Sequence, residues 1–113
     1  MHEYSLIQSL VERVESEARA RAATSVHKLD VRIGEMAGVD IELFKTAYLT
    51  FRERTVCEHA ALEVRVVPVT WVCESCGEPI EAGRPLHCPL CLRPARLAAG
   101  DEIILDRIEM EVA

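Results

Sequence analysis

The sequence predicts an α+β fold: two helices packed on one side of a small three-stranded sheet, with a four-cysteine zinc-ribbon module inserted between the last two strands. Three observations predict it. Two stretches repeat apolar residues at helical spacing, three stretches alternate apolar with charged residues, and one segment between the last two of these holds four of the five cysteines.

The first helix is expected over residues 4–23. Tyr4, Ile7, Val11, Val14 and Ala18 form its apolar stripe, widened by Leu10, while Glu12, Arg13, Glu15, Glu17 and Arg19 occupy the other faces. Ser5, followed three residues later by Gln8, is a candidate capping box. Over 27–34, Leu29, Val31 and Ile33 alternate with Lys28, Asp30 and Arg32, the pattern of a strand with one covered face. Gly34 and Gly38 end that pattern in a turn. Asp40 suits the N-cap of a second helix over 41–53, and Glu42 adds a favourable charge to its first turn. Phe44, Ala47, Tyr48 and Phe51 fall on one face of that helix and are read as core. A second strand fits 62–67, where Leu62, Val64 and Val66 alternate with Glu63 and Arg65 before Pro68. A third fits 103–112, with Ile108, Met110 and Val112 facing in and Arg107, Glu109 and Glu111 facing out.

With 113 residues, 50% of them hydrophobic, the chain is long enough for one modest core and shows no compositional sign of disorder. A formal charge of −6 argues against a protein that wraps nucleic acid or lies on an anionic membrane, since both partners reward a basic surface. Met1-His2-Glu3-Tyr4 runs straight into the amphipathic pattern without the apolar core of a signal peptide, and no apolar run is long enough to span a bilayer. An odd number of cysteines suits a reducing, cytoplasmic setting better than a secreted disulfide scaffold.

Residues 70–97 differ from both flanks: they carry four of the five cysteines and four of the five prolines and no long amphipathic period. The expected division is therefore 1–69 plus 98–113 as one α+β domain, with 70–97 as an inserted metal-binding module. Cys73-x2-Cys76, eleven intervening residues and Cys88-x2-Cys91 supply four soft ligands at the spacing of a closed tetrahedral site. Structural Zn(II) is the expected occupant; iron or a redox dithiol are the rival readings. Glu74, Glu78 and Glu81 offset Arg84, Arg93 and Arg96, so the module lacks a phosphate-binding charge balance. Cys57 and His59 are left over and are read as a loop cysteine beside a surface histidine. No motif assembles a nucleophile, base and oxyanion donor, so no catalytic residue is assigned and the chain is not read as an enzyme.

Taken in order, Met1-His2-Glu3, the first helix, Ile33-Gly34-Glu35 with Gly38-Val39, the strand from Leu62 to Val66 and the knuckle Cys88-Pro89-Leu90-Cys91 make the whole chain resemble the hydrogenase nickel-incorporation family, HypA/HybF. The resemblance implies a metallochaperone with a structural Zn(II) and Ni(II) as transient cargo. Its implied nickel ligands are Met1, His2 and Glu3, with Asp40 assisting. The implied partners are a HypB-like nickel-insertion GTPase, the hydrogenase large subunit and, in some relatives, a urease accessory protein, with no nucleic acid and no membrane. In the family the zinc module also responds to nickel or pH; here His87 is the histidine placed beside a knuckle, while Trp71, Val72 and Glu74 stand around the first, so a switch built on histidines at both knuckles does not carry over. An N-terminal amine, an imidazole and backbone amides form a nitrogen set suited to square-planar Ni(II). Two rival functions are a zinc-ribbon adaptor between proteins, in which His2 is incidental, and, less favoured by the charge balance, a nucleic-acid-binding ribbon.

Overall fold

The structure, a computed structural model, describes residues 2–112. Its elements run α1 (Glu3–Ala20), β1 (Ala23–Gly34), α2 (Ile41–Phe51), β2 (Ala61–Val67), β3 (Thr70–Cys73), β4 (Pro79–Ile80), β5 (Ala95–Ala99) and β6 (Ile103–Val112). One sheet has the order β2-β1-β6, with β2 parallel and β6 antiparallel to β1. A second, antiparallel sheet has the order β4-β3-β5 and lies in sequence between β2 and β6.

The helices cover one face of the first sheet because their apolar stripes have no other place to go. Ile7, Val11, Val14 and Ala18 of α1, Phe44, Ala47 and Tyr48 of α2 and Val26, Leu29, Val31 and Ile33 of β1 are all buried in one core. Tyr4 and Phe51 close its end edge-to-face, with ring centroids 5.6 Å apart.

Several boundaries differ from the expectation. The first helix stops at Ala20, not residue 23, because Ala22 takes a left-handed φ of 52° and its amide turns back to the Arg19 carbonyl. The chain is then free to enter β1 at Ala23, four residues earlier than the alternation indicated. The candidate capping box does not form: His2 is the N-cap residue, Ser5 lies inside the helix and Gln8 donates to Glu12. The second helix ends at Phe51.

In β6 a register shift between the pairs Asp30–Arg107 and Val31–Leu105 leaves Asp106 bulged out, so Leu105 and Ile108 both pack on the core. The bulged carboxylate accepts from Arg32 at 2.6 Å and lies 3.8 Å from Arg65. Val112, expected inward, is half exposed, since it pairs with Ala23 beyond the end of α1. Val66 is also half exposed, near the end of an edge strand.

Gly34 has a use other than a turn. An added Cβ there would collide with the Gly100 carbonyl, so the end of β1 meets the return strand backbone to backbone. Around this crossing, Gly34 N–H donates to Glu102 O (2.7 Å), Met36 N–H to Gly100 O (2.7 Å), and Glu35 N–H to Val67 O (2.8 Å). The Glu35 carboxylate accepts from Val69 N–H at 3.1 Å. The loop after β1 thus holds both strands that lead into and out of the second sheet.

Candidate metal centre and the N-terminal carboxylates

The second sheet exists to present two knuckles. Trp71 of β3 sits opposite Ile80 and Leu97, a small apolar stem, and Cys73 closes β3 opposite Ala95. Beyond the stem the four sulfurs of Cys73, Cys76, Cys88 and Cys91 lie within 4.8 Å of one another. Cys73 and Cys88 are buried, Cys76 and Cys91 exposed, so the cluster has an inner and an outer half. The separations are 3.3 Å for Cys73–Cys91, 3.5 Å for Cys91–Cys76 and 3.8 Å for Cys76–Cys88. A tetrahedral ion with metal–sulfur bonds of about 2.3 Å has edges of about 3.8 Å, whereas a disulfide needs about 2.0 Å. The donor set therefore fits one thiolate-bound metal and no cross-link.

Each knuckle is pre-shaped by its own backbone. Ser75 and Cys76 amides donate to the Cys73 sulfur at 3.3 and 3.4 Å, and Leu90 and Cys91 amides to the Cys88 sulfur at 3.4 and 3.5 Å. The Cys76 amide, with that of Ser75, holds the Cys73 thiol down to about 6. Its sulfur neighbours, Cys73 foremost, push Cys91 up to about 12. Four sulfurs this close resist ionising together, and a divalent cation is what removes that resistance.

In the α+β core, Glu3 opens α1 and Asp40 caps α2. Asp40 accepts from Leu43 N–H at 3.1 Å, as an N-cap should. Asp40 N–H in turn donates to the Glu3 carboxylate at 3.0 Å, which holds that carboxyl below its ordinary range. The start of α1 is thereby pinned to the start of α2, and His2 stands immediately before this link as the α1 N-cap. Met1 lies outside the described residues. Among the described residues, only the four cysteines form a group of three or more potential metal ligands.

These two features, a ribbon inserted in the α+β sheet and a carboxylate link beside the chain start, belong to a chain that matches known proteins over its full length. The family described as hydrogenase/urease nickel incorporation, metallochaperone, HypA, matches residues 1–110. The chain belongs to this family. A hydrogenase maturation factor HypA of Shewanella oneidensis is 36% identical over 115 residues, covering 100% of this chain and 98% of its own. One from Helicobacter hepaticus is 34% identical, covering 99% of this chain and 98% of its own. Among solved structures, the Ni metallochaperone HypA from Helicobacter pylori is similar with a TM-score of 0.76 at 31% identity, each chain covered completely. A second HypA solution structure gives 0.84, also at 31% identity, covering 100% of this chain and 98% of its own. Members of the HypA family are metallochaperones and not catalysts.

The remaining sequence candidates resolve simply. Cys57 is fully buried in the turn after α2 and His59 is exposed, so they present no joint site. His87 is exposed and bridges to Pro94 in the ribbon hairpin. Glu35 was not singled out for a role by sequence, although it stands in the Ile33-Gly34-Glu35 run; its hold on Val69 depends on a partner 34 residues away. No helix among the described residues is long and apolar enough to cross a membrane.

Proposed function

We propose that the chain binds Ni(II) through Met1, His2 and Glu3, assisted by Asp40, and hands it on during maturation of nickel-iron hydrogenase. The observation that carries this reading is the Glu3–Asp40 link, which joins the residue after His2 to the cap of α2 within a chain of the nickel-incorporation family. Each carboxylate commits one oxygen to an amide, and the second oxygen is the one a cation would use. The amine and imidazole supply nitrogen donors, and a site built partly from a chain terminus releases its ion readily, as transfer requires. The partners in this reading are a HypB-like GTPase and the hydrogenase large subunit, with a urease accessory protein where urease is served.

Cys73, Cys76, Cys88 and Cys91 hold Zn(II) in this reading, and the zinc stabilises the fold and takes no part in a reaction. Residues 70–97 then form the inserted module, and 1–69 with 98–113 the nickel-binding domain.

Calorimetric titration of Ni(II) into zinc-loaded protein with its native Met1 terminus, beside His2→Ala, tests the site. One tight site in the native chain and its loss in the variant are expected. Apparent affinity is expected to fall steeply as pH drops from about 7.5 to 6, because protons compete for the amine and imidazole. Equal binding in both proteins would leave a zinc-stapled adaptor.

A further inference from the structure

The two knuckles have the same backbone and different surfaces. In each, the residue two after the first cysteine and the second cysteine itself donate to the first sulfur, and the residue after the second cysteine donates to the first cysteine's carbonyl: Gly77 N–H to Cys73 O at 3.1 Å, Leu92 N–H to Cys88 O at 2.9 Å. Ser75 therefore corresponds to Leu90, and Gly77 to Leu92. The first knuckle demonstrates that neither position needs an apolar side chain to shape the site.

Position 92 does not suit a leucine. Gly77 has φ 76° and Leu92 φ 57°, a left-handed conformation that glycine takes freely and a branched side chain takes at a cost. Burial does not offset that cost, since Leu92 is 76% exposed and Leu90 73%. Leu86, on the same hairpin, is 52% exposed. Strain retained without intramolecular return points to a use outside the chain.

The charge around these leucines indicates what they meet. Residues 82–100 contain Arg84, Arg93 and Arg96 and no acidic residue, within a chain of net charge −6. Arg84 and Arg93 make only exposed pairs, with Glu81 at 3.5 Å and Glu74 at 3.7 Å. Among the described residues no carboxylate lies within ion-pair distance of Arg96.

We infer that the second knuckle, through Leu90 and Leu92 with Arg93 and Arg96 beside them, docks into an apolar groove edged by carboxylates on a partner protein. A second copy is disfavoured because a symmetric contact sets these arginines against themselves. A bilayer is disfavoured because Glu74 and Glu81, 3.7 Å from Arg93 and 3.5 Å from Arg84, would be brought to the anionic surface with those arginines. Within the nickel-handover reading, on which this rests, the groove belongs to one of the two proteins of the transfer.

The test uses zinc-loaded full-length chain, with the GTPase and the hydrogenase large subunit as the probes, measured by biolayer interferometry. Leu90→Ser with Leu92→Gly gives the second knuckle the residues of the first. Binding to one of the two partners is expected to weaken at least tenfold. Arg96→Glu, which leaves both knuckles untouched, is expected to weaken the same complex at least fivefold, and added salt to weaken the native complex further. Equal binding of native and variant chains, or no binding of the native chain to either partner, would overturn the proposal. So would a native dimer that the double variant abolishes, or co-sedimentation with phosphatidylglycerol vesicles that it abolishes. Nickel titration of the same variants is expected to be unchanged, so docking can fail while the nickel site stands.

Discussion

Cys57 shows how a single side chain's surroundings set its chemistry. It is fully buried, beneath Tyr48, whose hydroxyl donates to Ala60 O at 2.8 Å and so closes the turn after α2. Burial pushes the Cys57 thiol up to about 11 from its ordinary 9.0. The folded thiol therefore stays protonated where an unfolded one ionises. The stability from this group is fully present below pH 9.0 and is expected to decline as pH rises from there to about 11. In zinc-loaded protein at pH 8, iodoacetamide is expected to leave Cys57 unmodified until the chain is unfolded, as peptide mass spectrometry will show; rapid labelling of the native protein would contradict the burial. Leu92 shows the opposite relation, an apolar side chain left in solvent on a backbone better suited to glycine.

At the scale of elements, α2 depends on Asp40 for its first turn and α1 is joined to it through Glu3. Asp40→Ala removes the cap and is expected to destabilise the protein by about 1 kcal/mol in urea unfolding. Asp40→Asn keeps the cap, since the amide oxygen accepts equally well, and is expected to stay near native stability. Nickel affinity tests whether Asp40 has the proposed second use: a loss in Asp40→Asn assigns a role to the carboxylate charge, and native affinity leaves Asp40 as a cap alone. The helices and the three strands of the first sheet were largely legible in sequence because each carries its own period. The C-terminal strand boundaries match the alternation from 103 to 112, and α2 starts where Asp40 indicates. The end of α1 was not legible, since Ala22 adopts its left-handed conformation without the glycine that ordinarily marks one. Strands β3, β4 and β5 were missed, for they are at most five residues long and their order depends on the cysteine cluster and the Trp71 stem.

For the whole molecule, the core of helices and first sheet has its own buried apolar residues, whereas residues 70–97 have few: Cys73, Ile80 and Cys88 are the buried ones. With Zn(II) bound as proposed, the metal supplies much of that segment's folding free energy. Chelation of zinc is expected to unfold residues 70–97 while far-UV circular dichroism keeps most of its helical signal. Hydrogen exchange would localise the loss, and full helix melting would refute the proposed two-part organisation. The junction limits how far the disorder spreads, because Gly34, Glu35 and Met36 fasten both connecting strands to the end of β1.

By itself the sequence determined the fold class, the grouping of the four cysteines and the family resemblance, since these rest on local period, on ligand spacing and on motifs in fixed order. Only the tertiary structure decided that Glu3 reaches Asp40, that Glu35 holds Val69, and that Asp106 bulges toward Arg32 and Arg65. Those contacts join residues 34 to 74 positions apart, and no pattern along the chain links their members. The physical reason is that a helix or strand is specified by its neighbours in sequence, whereas a contact between elements is fixed by how their buried faces pack.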